Sequence, residues 1–194
     1  MDDKIFVSFI GPSGSGKSTC RQFAEKYLRE RGYDVYHVDV AAPLRQIQTY
    51  AYELFTKKSQ DATALDYKQD GRLLQFLAEH FEDRLGPTFK ASIKEILDYC
   101  PSKKIAIINT DCRNNAYKTL KELGFVFIRL TVPPILLAVR QMARGDLTKS
   151  DHHSSVEQYD TIEYSHEIDN VGSLDDLEKN VYQVLDLVCN EKEN

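Results

Sequence analysis

The chain has no apolar stretch long enough to cross a membrane and no charged-then-apolar leader ahead of its first predicted strand. The expected location is the cytoplasm, with no membrane partner. Cysteine is sparse: Cys20, Cys100, Cys112 and Cys189 form no Cys-x-x-Cys pair and no metal-ligand spacing, so they read as reduced thiols. His152 and His153 are adjacent rather than one helical turn apart, which makes them a poor metal pair and a solvated feature. There is no positive charge excess. The net charge of −5 argues against a broad nucleic-acid surface, although a local basic pocket remains compatible with it. Internal repeats and low-complexity tracts are absent as well. What is left, with 42% apolar and 28% charged residues, is ordinary globular composition. A chain of 194 residues makes one domain, 1–194, able to bury roughly 70% of its unfolded surface.

The most specific stretch present is Gly11-Pro-Ser-Gly-Ser-Gly-Lys-Ser18, which fits G-x-x-x-x-G-K-[ST] at every fixed position. The apolar run Ile5–Ile10 before it reads as a buried strand. Residues 18 to 30 contain no Gly or Pro and read as a helix. In such a setting Gly11, Gly14 and Gly16 let the backbone turn and approach a ligand closely. The N–H groups of Ser13, Ser15, Ser18 and Thr19 then join an anion nest at a helix N-terminus. Lys17 can reach the β- and γ-phosphates, and Ser18 can ligate Mg²⁺. ATP with Mg²⁺ is the expected ligand.

Strand and helix signals alternate along the rest of the chain. A strand is predicted at Asp34–Val38 and a helix from about Pro43 to Phe55, with a polar loop over 56–70. Leu73, Leu77, Phe81 and Leu85 give one helical face, which Gly86-Pro87 is expected to end; Thr88 would cap the next helix. Lys104–Ile108 is a short continuous apolar run, the mark of an interior parallel strand. A helix over 116–123, a strand at Phe125–Leu130 and a helix opened by Pro133-Pro134 follow, the last with Ile135, Val139 and Met142 on one side. Residues 145–159 are polar and read as a mobile lid. A last strand is expected at Tyr164–Ile168. Ser173-Leu-Asp-Asp176 resembles a capping box opening a helix that turns Leu174, Leu177, Val181, Leu185 and Val188 to the core, with 190–194 a frayed tail. The expected fold is α/β: about five parallel strands, helices on both faces, and ligands at the carboxyl ends of the strands.

A phosphate loop names a nucleotide and not a reaction. There is no Asn-Lys-x-Asp guanine-reading motif and no Leu-Ser-Gly-Gly-Gln transporter signature, and the chain is short, which leaves the small kinases. Arg45, Arg72, Arg113, Arg140 and Arg144 each fall near a predicted strand end, lid or pocket wall, where phosphoryl transfer between charged groups needs guanidinium. Asp111 follows a strand where a carboxylate would meet the Mg²⁺ shell. Asp39 follows another, and could hold a sugar hydroxyl or act as a base.

Several stretches resemble the deoxynucleoside monophosphate kinases of the bacteriophage type. They are Ala41-Ala-Pro-Leu-Arg45, Gly71-Arg-Leu-Leu-Gln-Phe76, Asp111-Cys-Arg113 with Asn114-Asn-Ala116, Asp151-His-His-Ser-Ser-Val-Glu157 and Ile168-Asp-Asn-Val-Gly-Ser173. The resemblance implies a three-layer P-loop kinase fold with a substrate-binding helical region at about 42–100 and a lid at about 140–160. It implies that Arg72 and Arg113 hold an acceptor nucleotide, with Asp39, Arg45, Gln75 and Asp111 beside them. Arg140 and Arg144 would close over the transferring phosphates, and Asn170 to Gly172 would lie near the adenine of ATP. Two stretches depart from the family pattern: Asn115-Ala116 stands where an acidic residue is usual, and Val156 separates Ser155 from Glu157. The expected reaction is transfer from ATP to a (deoxy)nucleoside monophosphate, by a monomer or homodimer. Dephospho-coenzyme A and hydroxymethyl-pyrimidine in DNA stay open as hydroxyl acceptors, DNA being the less favoured partner. A nucleotide-binding regulatory ATPase module is the alternative of another class.

Overall fold

The computed structural model describes residues 3–59, 70–143, 159 and 161–193. The first strand, β1 (Asp3–Ile10), leads into α1 (Lys17–Glu30), β2 (Asp34–His37) and α2 (Ala42–Ser59). Then come α3 (Gly71–His80), α4 (Glu82–Tyr99), β3 (Lys104–Asn109), α5 (Asn114–Glu122) and β4 (Val126–Thr131). The chain finishes with α6 (Pro134–Met142), β5 (His166–Asp169) and α7 (Leu174–Glu193).

All five strands are parallel, in the order β2-β3-β1-β4-β5. The apolar run of β1 is explained by its place at the centre. Ile5, Val7 and Phe9 point to one face, where they meet Ala24, Tyr27 and Leu28 of α1 and Val181 and Leu185 of α7. Phe6 and Ile10 point to the other, against Leu44 of α2, Leu77 of α3, Phe89 and Ile93 of α4 and Leu120 of α5. A strand covered on both faces has no polar side to alternate with. The chain leaves β1 past β3 to reach β2 and leaves β3 past β1 to reach β4, so these connections run in opposite directions over opposite faces of the sheet. A crevice opens between them at the carboxyl ends of β1 and β3.

Five expectations are corrected. Gly86-Pro87 does not end a helix but lies inside α4; the break comes earlier, at Phe81. Thr88 is not a cap: its hydroxyl donates to the Arg84 carbonyl, 2.8 Å away. Gly86 is a place of close approach, since a Cβ there would lie 2.7 Å from Thr119 Oγ1 of α5. Gly86→Val is expected to cost about 1–3 kcal/mol by overpacking, with part recovered when Thr119→Ala is added. Thermal unfolding of the two variants checks this, and an unchanged melting temperature in the single variant would contradict it. Leu174 is 66% exposed rather than turned to the core, while Leu177, Val181, Leu185 and Val188 are buried. The presumed frayed tail is helical to Glu193. The predicted loop at 56–70 is helical as far as Ser59, and its remainder to 69 falls outside the described residues. The capping box forms: the Ser173 amide donates to Asp176 Oδ2 (2.9 Å), and the Asp176 amide to Ser173 Oγ (3.2 Å).

Candidate active site

The crevice holds a cavity of about 850 Å³. One half is built by the loop between β1 and α1. Gly11, Gly14 and Gly16 adopt φ of +144°, +87° and +100°, a region in which only glycine is unstrained. Gly16 has a second reason to be glycine, because a Cβ there would run into Asn170 Nδ2. That amide is buried and donates to the Ser15 carbonyl (2.8 Å), while the Asn170 backbone N–H bonds Thr131 O (2.9 Å). Gln141 of α6 donates to Ser13 O (2.7 Å). Two loop carbonyls are thus held from outside the loop, while the Ser15 amide is bonded within it, to Pro12 O at 3.1 Å. Lys17 Nζ donates to the carbonyls of Gly11 (2.6 Å) and Pro12 (2.8 Å) and lies over the Tyr159 ring.

Two polar atoms in this half are buried without a hydrogen-bond partner among the described residues, Ser15 Oγ and the Arg140 NH1 nitrogen. Arg140 NH2 donates to Asn170 O at 3.4 Å. An unsatisfied guanidinium nitrogen beside a nest of amides is costly unless an anion completes it. A triphosphate fits that requirement. Ser13, Gly14, Ser18, Thr19 and Gly172 share the wall with Ser173 and Leu174, so the exposed Leu174 is part of the nucleotide side.

The opposite half is a polar network at the ends of β2 and β3. Asp111 accepts from the amides of Val40 and Ala41 (2.9 Å each), from Asn109 Nδ2 (2.8 Å) and from Arg45 (3.0 Å). It thereby fixes the chain entering α2. Asn109, wholly buried, also accepts from Ser8 Oγ (3.0 Å) and from the Cys112 amide (3.0 Å). Arg45 pairs with Asp39 as well, so its charge is shared by two carboxylates. Asp39 Oδ1 accepts from His37 Nε2 at 2.9 Å. Burial pushes the Asp39 carboxyl up, but the His37 hydrogen bond and the Arg45 charge outweigh it and hold it below its ordinary value. Arg113 lines this half near Tyr159, whose phenol titration is raised chiefly by burial and lowered in part by the Arg113 charge. Burial also pushes the Cys20 thiol up to about 12, so it stays protonated and unreactive.

Among the described residues no cluster of three His, Cys, Asp or Glu side chains could hold a metal ion. Mg²⁺ keeps several waters and needs few protein ligands. Ser18 could donate one oxygen directly. Asp111, with four donors already on its carboxylate, suits contact through water.

Lys17, Ser18, Thr19, Asp39, Arg45, Asp111, Arg113, Arg140 and Gly172 meet around one cavity. Arg72 and Gln75 do not: Arg72 is exposed on α3 and Gln75 bonds Glu79 along the helix surface (3.0 Å), both away from the cavity wall. The wall takes Gly71, Leu74 and Ala78 from α3 instead, because Leu74 and not Arg72 is on its buried face. Arg144 and the lid segment from 145 to 158 fall outside the described residues. Asn109, Gln141, His37 and Arg21 were not read from the sequence as site residues. Only Asn109 left a trace there, as a polar residue at the end of an apolar strand.

No protein-family model matches the chain, and no curated protein sequence matches it. Solved structures do. A Thermus thermophilus protein aligns over 95% of this chain and 98% of its own, with a TM-score of 0.53 and 20% identity. Shikimate kinase from Acinetobacter baumannii, in complex with shikimate, aligns over 100% and 97% (TM-score 0.53, 13% identity). APS kinase from Mycobacterium tuberculosis, in complex with AMPPNP and APS, aligns over 96% and 99% (TM-score 0.50, 17% identity). At these identities the likeness is one of architecture: the chain has the three-layer α/β fold of P-loop kinases.

Proposed function

We propose that the protein transfers the γ-phosphoryl group of ATP to a small anionic acceptor, and that this acceptor is a (deoxy)nucleoside monophosphate. The observation that carries the reading is the single cavity joining the glycine loop to a second half walled by Asp39, Arg113 and apolar side chains of α2, α3 and α4. Likeness to kinases of shikimate and APS supports phosphoryl transfer to a small molecule.

The chain's own groups suit this chemistry. Lys17 leaves its two loop carbonyls to meet the β- and γ-phosphates, and the buried NH1 of Arg140 gains the anion it lacks. Bound Mg²⁺ would neutralise charge between those phosphates. Arg113 holds the acceptor phosphate, whose oxygen is already ionised and needs no base. Asp39 fits that requirement, since a carboxylate held below its ordinary range is a weak proton acceptor and a good partner for a sugar hydroxyl. Tyr159, buried between Lys17 and Arg113, keeps water from the gap between the two halves.

A hydroxyl acceptor is the second reading, favoured by the placement of Arg72 outside the cavity wall and by the carboxylate of Asp39 on it. The test is a panel of monophosphates, dephospho-coenzyme A, shikimate and hydroxymethylated DNA with labelled ATP. Asp39→Asn separates the readings. A phosphate acceptor predicts about a tenfold rise in acceptor KM with turnover within about threefold. A fall in turnover of about 10²–10⁴-fold at unchanged KM would instead identify Asp39 as a base acting on a hydroxyl.

A further inference from the structure

Arg21 lies one helical turn beyond Lys17, on the same face of α1. Its NH1 group is 2.9 Å from His37 Nδ1 and 3.4 Å from Glu25. His37, the last residue of β2, turns its other nitrogen to Asp39 Oδ1 at 2.9 Å, with Thr110 Oγ1 at 3.3 Å. Behind Asp39 stand Arg45 and then Asp111, bonded to the amides that open α2. A guanidinium has only donors. His37 Nδ1 must therefore accept, which makes the ring neutral, puts its proton on Nε2 and directs that proton at Asp39. The tautomer follows from the bonds around the ring. One unbroken chain of hydrogen bonds thus runs from the helix of the glycine loop to the carboxylate of the other half.

We infer that His37 is a positioning residue. Held in one tautomer by Arg21, it fixes the Asp39 carboxylate toward the acceptor and ties that carboxylate to the helix that carries Lys17. The inference rests on the acceptor lying beside Asp39, as proposed above. Arg21 and Glu25 face His37 from α1, Asp39 from the following loop and Thr110 from the end of β3. Asp39 alone among them offers the ring a carboxylate directly. A second N–H on the ring would face the donors of the Arg21 guanidinium, so the observed contact requires the neutral imidazole.

Steady-state kinetics of His37→Phe test the inference. Acceptor KM should rise about tenfold, the loss expected for one charge-assisted hydrogen bond, while the KM for ATP stays within twofold. His37→Gln, whose amide can still donate to Asp39, should recover most of that loss. In an Asp39→Asn background His37→Phe should add less than about twofold, because the pair acts as a unit. An equal rise in both backgrounds, or an equal rise in the KM for ATP, overturns the inference. If no acceptor in the panel is phosphorylated, the functional reading fails but the relay is still tested. Imidazole ¹⁵N NMR of the whole protein should show Nε2 protonated and Nδ1 bare, with the two forms mixing in Arg21→Gln. A wild-type ring protonated on Nδ1, or one unaffected by Arg21→Gln, overturns the relay itself.

Discussion

Lys17→Ala is expected to lower turnover by about 10²–10³-fold, the scale of removing one preorganised group from developing phosphoryl charge. Lys17 begins α1, where its ammonium donates to Gly11 O and Pro12 O and lies over the Tyr159 ring. Its ammonium is at the cavity wall rather than within the apolar core, so the variant should unfold within a few degrees of the wild type. The loss therefore reads out chemistry and not stability. Steady-state phosphorylation of the preferred acceptor at saturating ATP measures it, with thermal unfolding as the control. Turnover within about threefold of the wild type would remove the glycine loop from the reaction, and the proposed function with it.

Gly16→Ala is expected to be strongly damaging. Two costs coincide. The backbone at φ +100° disfavours any Cβ, by about 1–2 kcal/mol. The added methyl also points at the buried Asn170 amide, whose displacement leaves the Ser15 carbonyl without its donor, a further 1–3 kcal/mol or so. About 3 kcal/mol in a domain of this size lowers the melting temperature by roughly 6–12 °C. ATP affinity should fall more than stability suggests, since the displaced loop is the nest itself. Isothermal titration with a non-hydrolysable ATP analogue and a melting curve check both parts. Full ATP affinity in the variant would show that Asn170 does not shape the loop.

The architecture was largely readable from local signals. Strand β1, the glycine loop and α1 follow from an apolar run, three glycines and a helix free of Gly and Pro, because each is a short-range preference. The capping box at Ser173 is legible for the same reason. Gly86-Pro87 misled because this proline lies inside α4, where it forfeits an intrahelical hydrogen bond, and the glycine was required by a helix 33 residues further on, which no local rule reveals. The site divides in the same way. Lys17 and Ser18 sit in a motif of fixed spacing. Arg72 was drawn in by a guanidinium near a predicted pocket, but the phase of α3 puts Leu74 and Leu77 inward and Arg72 out. Asp111 was read as a metal ligand. Its four hydrogen-bond donors come from β3, the β2–α2 loop and α2, so its capping role appears only once those parts are packed together.

The central place of β1 has a consequence for how the chain comes into being. It is made well before both its neighbours: β3 ends at Asn109 and β4 at Thr131. At about 5–20 residues per second, roughly 6–25 s separate the completion of β1 from that of β4. Throughout that interval the central strand keeps at least one bare edge, the condition under which parallel sheets are most prone to aggregate. Yield of soluble protein should therefore depend on temperature and on chaperone supply during synthesis more than on the stability of the finished fold.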